Sequence, residues 1–122
     1  MYLADVHTHS LVSPDSDAPL ADMAAAAAAA GVEELCVTDH CDLLDGYGGR
    51  CDHFDWPAAL EQYRTVRAAV GDRLKLRLGL ELGSAPFDPA VARRVLAGGG
   101  EALDFVLGSL HTWVGAEGDI DF

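Results

Sequence analysis

The sequence predicts an α/β fold made of parallel β/α units, and three observations carry that expectation. Short apolar stretches alternate with longer helix-forming ones in the order β-α-β-α-β-α-β. Leu74, Leu76, Leu78 and Leu80 alternate with Lys75, Arg77, Gly79 and Glu81, the two-residue period of a strand. Polar residues with metal-binding chemistry recur at the carboxyl end of each strand candidate. Strands and helices that alternate over short turns imply a parallel sheet with right-handed crossovers.

Tyr2 to Val6 reads as the first strand, running into His7-Thr8-His9 and then a Ser- and Asp-rich loop to Asp17. Pro19 suits the first turn of a helix with Asp17 as its cap, and Leu20 to Ala30 forms the body. Alanine has the highest helix propensity, and Gly31 supplies the stop. Glu34 to Val37 is a second strand that ends at Thr38-Asp39-His40, and a long Gly- and Asp-rich loop covers Cys41 to Phe54. Asp55 caps a second helix with Pro57 in its first turn and Ala58 to Val70 as its body. Gly71-Asp72 turns the chain into the strand from Leu74 to Glu81. A third short helix spans Pro89 to Leu96, closed by Gly98-Gly99-Gly100, and Phe105 to Leu107 forms a fourth strand ahead of Gly108-Ser109-Leu110-His111. No internal repeat and no interdomain linker interrupts this order, so 1–122 reads as one domain.

Eight Lys and Arg face twenty Asp and Glu, for a formal charge of −12. Such a surface disfavours a phosphate-neutralising grip on nucleic acid and docking on anionic membranes. An anionic substrate would need something other than bulk charge to attract it, and bound divalent metal is the obvious candidate. Three irregularly spaced cysteines give no disulfide framework. No targeting segment or membrane-length apolar run is visible, so the cytoplasm is the expected compartment.

His7 and His9 follow strand one, His40 follows strand two, Glu81 ends strand three and His111 follows strand four. In parallel α/β folds those ends share one face. Asp15 adds a carboxylate in the loop after His9. Imidazoles and carboxylates together suit Zn, Mn or Fe. Each residue has an ordinary reading on its own, as an Asx turn or a solvated strand end. Four strand ends bearing such residues are better explained together than one by one. Asp39 is expected to orient an imidazole rather than bind metal. His53 reads as a surface or lid residue, Cys41 as a half-buried thiol and Cys36 as core. Trp56 and Trp113 read as packing residues, with Trp113 alternatively walling a substrate pocket. No phosphate-cradling glycine loop and no nucleophilic-serine elbow is present.

Asp5-Val6-His7-Thr8-His9-Ser10, Thr38-Asp39-His40, Gly79-Leu80-Glu81-Leu82-Gly83 and Gly108-Ser109-Leu110-His111 occur in an order that resembles the PHP (polymerase and histidinol phosphatase) family. The Asp15-Ser16-Asp17-Ala18-Pro19 segment with Gly-Ser-Leu-His resembles its histidinol-phosphatase branch. The resemblance implies a distorted seven-stranded β/α barrel, of which this chain supplies roughly the first half, around a cluster of up to three divalent metals. It assigns His7, His9 and Glu81 to the first metal, Glu81 and His111 to the second, and Asp15 and His40 to the third. Asp15 stands where some relatives carry His. The implied reaction is hydrolysis of L-histidinol phosphate to L-histidinol and phosphate in histidine biosynthesis, so the implied partner is a small phosphorylated metabolite.

A complete β/α barrel takes about 250 residues. The family's later His, its C-terminal Asp-x-His and its phosphate-gripping arginine have no counterpart after His111. Gly118 to Phe122 reads as the middle of a loop. The expectation is therefore a PHP domain incomplete at its C-terminus that binds metal weakly and turns over poorly in isolation. Competing readings are a PHP phosphoesterase for a nucleotide, an oligonucleotide end or phosphotyrosine, an amidohydrolase, and a non-catalytic metal-binding or assembly module.

Overall fold

The computed structural model of the chain describes residues 1–45, 49–115 and 118–121, the last three of these as backbone alone. Ten named elements follow one another: β1 (Ala4–Thr8), α1 (Leu20–Ala29), β2 (Glu34–Val37), β3 (His40–Asp42), α2 (Trp56–Val70), β4 (Lys75–Gly83), α3 (Pro89–Gly99), β5 (Leu103–Ser109), β6 (Thr112–Gly115) and β7 (Gly118–Asp121). Strands β1, β2, β4 and β5 lie side by side, and every pairing among them is parallel. β3 pairs with the carboxyl end of β4, His40 opposite Glu81, just beyond where β2 pairs with its amino end. β2 and β3 therefore act as one strand broken at Thr38-Asp39.

The period-two pattern of β4 has the physical meaning its sequence suggests. Leu74, Leu76, Leu78, Leu80 and Leu82 are all buried in one core with Leu20 and Ala24 of α1, Tyr63 and Val66 of α2, and Ala92 and Val95 of α3. Full burial of a leucine contributes about 1.5–3 kcal/mol, so this row of five is the main anchor between helices and sheet. The alternate residues Arg77, Gly79 and Glu81 belong to the opposite face. Gly79 is required there: a Cβ would come within 2.8 Å of Thr38 and 2.9 Å of the Cys36 sulfur.

Helix ends follow local chemistry, and the fold departs from expectation at four places. α1 begins after Pro19, which is itself the cap residue, and Asp17 makes no cap bond because it lies two residues before the cap position. Gly31, at φ 82°, ends α1 as expected. Asp55 accepts from the Ala58 amide, and Asp88 does the same for Val91 at the start of α3. α3 does not stop at Leu96 but runs to Gly99, because the Trp56 indole lies against its last turn. A Cβ on Gly98 would meet the Trp56 ring at 2.2 Å. The other departures are β3, inside the stretch expected to be loop, and the β6–β7 hairpin. That hairpin pairs Thr112 with Asp121 and Gly115 with Gly118, where mid-loop sequence was expected. Phe122 and Gly46 to Gly48 lie outside the described residues. Among the described residues no helix is long and apolar enough to cross a membrane.

Candidate metal centre

Every strand-end residue singled out by the sequence arrives at the same place. Glu81 is buried, with only 4% of its surface exposed, and imidazoles from three other strands surround its carboxylate. Its Oε2 lies 2.9 Å from His9 Nε2, 3.5 Å from His7 Nε2 and 3.4 Å from His40 Nδ1. Its Oε1 lies 3.0 Å from His111 Nε2. Asp15 joins from the loop after β1, 3.0 Å from His9 Nδ1 and 3.3 Å from His40 Nε2. The rings of His7 and His9, His9 and His40, and His40 and His111 meet in sequence, edge-on or tilted, at 4.2–4.9 Å between centroids.

Three groups of ligand-type atoms lie within 4.8 Å of one another: His7, His9 and Glu81; His9, Asp15 and His40; His40, Glu81 and His111. The groups overlap in a ring. His9, His40 and Glu81 each belong to two of them, while His7, Asp15 and His111 each belong to one.

This donor set fits divalent metal. Zn, Mn and Fe accept mixed nitrogen and oxygen ligands, and a buried carboxylate needs compensating positive charge. His40 Nδ1 is buried and hydrogen-bonded to nothing, although Glu81 and Asp42 oxygens lie 3.4 and 3.5 Å away. An orphaned ring nitrogen facing carboxylates is what a cation between them would satisfy.

The surrounding polar residues fix the loops that carry these groups. Asp39 engages Ser10 rather than an imidazole, accepting from its backbone amide and, at 2.7 Å, from its hydroxyl. Gln62 of α2 donates to the same hydroxyl at 2.6 Å. Burial raises the pKa of Asp39 despite both bonds from Ser10. Burial also works to raise Asp15, but hydrogen bonds from Ser13 and His9 outweigh it and hold that carboxyl at about 2. His7 Nδ1 lies 3.0 Å from the Thr38 hydroxyl, whose own proton points to the Thr8 carbonyl. Thr38 therefore accepts from Nδ1–H and leaves Nε2 as the acceptor nitrogen.

Residues outside the cluster fall as follows. His53 is exposed and paired with Asp52. Cys36 is core, and Cys41 is buried rather than half-buried. Trp56 packs as expected and donates to the Val95 carbonyl. Trp113 is exposed and borders a surface cleft with Phe87 and Leu110 instead of entering the core. One residue at the site escaped sequence reasoning: Asp42, with Oδ1 2.9 Å from His111 Nδ1. Its signal was present in the His40-x-Asp42 spacing, which puts both side chains on one face if the segment is a strand.

Residues 5–121 match the PHP domain family. The histidinol-phosphatase of Lactococcus lactis subsp. lactis (strain IL1403) is 30% identical over 102 residues, 72% of this chain and 37% of that protein. A protein of Deinococcus radiodurans named a probable histidinol-phosphatase is 31% identical over 118 residues, 95% of this chain and 44% of the relative. Among solved structures, the histidinol phosphate phosphatase of Lactococcus lactis complexed with zinc, L-histidinol and phosphate superposes with a TM-score of 0.73 at 28% identity. That match covers 89% of this chain and 40% of the solved one. The chain thus spans less than half the length of these relatives, and its parallel sheet corresponds to part of their barrel.

Proposed function

The chain belongs to the PHP domain family, and on that premise we propose that it carries the metal-holding residues of a phosphomonoester hydrolase acting on L-histidinol phosphate. The observation that supports this most directly is the convergence of His7, His9, Asp15, His40, Glu81 and His111 at the carboxyl ends of parallel strands. The substrate follows from the relatives: two curated ones are named for histidinol phosphatase activity, and the solved one holds zinc, L-histidinol and phosphate.

In this reading His7, His9 and Glu81 would hold one divalent ion, Glu81 and His111 a second, and Asp15 and His40 a third, each neutral imidazole giving its one lone pair to a single ion. Bound there, the ions supply positive charge to phosphoryl oxygens and acidify water for attack on phosphorus. The chain's own residues do the positioning. Glu81 turns its two oxygens toward different imidazoles, so one buried carboxylate serves two groups. Thr38 sets the tautomer of His7, and the Ser10–Asp39 bonds hold the backbone that delivers His9. Preorganised ligands of this kind avoid reorganisation during the reaction.

The test loads the protein with zinc or manganese and offers it L-histidinol phosphate, a mononucleotide and phosphotyrosine. Phosphate release should favour L-histidinol phosphate and disappear on chelation. Failure to take up either metal, or preference for the mononucleotide, would overturn the proposal.

A further inference from the structure

We propose that Asp42 is the positioning residue for His111, seated in space that Gly83 leaves open for its carboxylate. The inference rests on the metal-holding role proposed above for His111. β3 and β4 pair in parallel with Asp42 opposite Gly83. At that position a Cβ would sit 1.6 Å from Asp42 Oδ1 and 2.7 Å from its Cγ. Any residue other than glycine would therefore expel the carboxylate from its place.

From there Asp42 reaches two imidazoles. Oδ1 lies 2.9 Å from His111 Nδ1, and Oδ2 lies 3.5 Å from His40 Nδ1. A carboxylate only accepts, so the hydrogen on this bond resides on His111 Nδ1. The ring is then fixed with Nε2 directed at Glu81, 3.0 Å from Oε1. A metal-binding histidine ordinarily gives its second ring N–H to a carboxylate, which orients the ring and raises its basicity. Asp42 meets that description by geometry. It belongs to none of the three ligand groups that the atoms themselves form.

Zinc titration of the full chain tests this, with Asp42→Ala, Asp42→Asn and Gly83→Ala compared with wild type. Asp42→Ala and Gly83→Ala should each weaken one zinc by roughly 10–100-fold. Asp42→Asn should keep most of the affinity, because its amide oxygen still accepts from Nδ1–H. Unchanged affinity in Asp42→Ala overturns the proposal. So does a loss in Asp42→Asn as deep as in Asp42→Ala, which would make the carboxylate a direct ligand. If Gly83→Ala does not fold, the two Asp42 variants decide. Should wild type bind no zinc, the metal reading fails separately, and ring-nitrogen NMR of the metal-free chain still decides. A protected His111 Nδ1–H that is lost in Asp42→Ala supports the seat, and identical ring signals in both overturn it.

Discussion

Glu34 accepts hydrogen bonds from the Tyr2 hydroxyl and, at 2.9 Å, from Arg77 Nε, on the sheet face opposite the leucine row. The Tyr2 bond first and Arg77 second pull its pKa below the ordinary 4.5. A carboxyl whose native pKa is depressed contributes stability that is complete above its unfolded value and is lost as pH falls through the native one. Wild type and Glu34→Gln should therefore differ in urea midpoint at neutral pH and converge in acid. A gap that persists undiminished at low pH would show that packing, not charge, holds this corner. The contrast with Glu81 is instructive. Both are strand residues, but Glu34 meets a guanidinium and Glu81 is surrounded by imidazoles. A strand-end glutamate close to histidine motifs was legible in the sequence. Asp42 was harder to see, because its spacing from His40 signals a shared face only if residues 40–42 are extended, and only the register with β4 makes that segment a strand.

At the scale of elements, sequence reading succeeded where the signal was local and failed where it was tertiary. The leucine alternation of β4, the Asp55 cap and the Gly31 stop are local chemistry, and all three appear in the structure. The length of α3 was hidden because Gly98-Gly99-Gly100 reads as a terminus, although the first two of these glycines lie inside the helix. They continue the helix because Trp56, some forty residues earlier in the chain, fills the space where side chains would go. Alanine normally gains about 1 kcal/mol over glycine inside a helix. At position 98 that gain should be overwhelmed: Gly98→Ala drives a methyl into the indole and should cost about 1–3 kcal/mol in chemical denaturation. A neutral or stabilising result would mean that the ring moves aside freely. Gly31→Ala is the useful comparison, since nothing lies within 4 Å of its added Cβ. Its cost comes from positive φ alone, about 1–2 kcal/mol.

For the molecule as a whole, the candidate ligands come from β1, β3, β4 and the loops after β1 and β5, so ions held by the three groups would tie those four strands together. Zinc that binds the folded chain and not the unfolded one should stabilise it by about 2.7 kcal/mol at a free concentration about 100 times Kd. Thermal unfolding followed with added zinc and then with chelator checks this. A midpoint indifferent to both would mean that the cluster does not hold metal tightly in this chain. Among the described residues β1, β3 and β5 each pair with one neighbouring strand, and β1 and β5 flank the parallel sheet. Val6, Phe105 and Val106 on them are exposed, a feature that period-two patterning cannot reveal because it reports alternation and not neighbours. The ring of overlapping ligand groups bears on how such a centre can be gained or lost over time. Dropping His7, Asp15 or His111 spoils one group and leaves two intact, whereas dropping His9, His40 or Glu81 spoils two at once. Stepwise change can therefore pass through the first three positions while keeping a working remainder. The other three are all but closed to drift, so descendants of this sequence should differ first at the residues with a single membership.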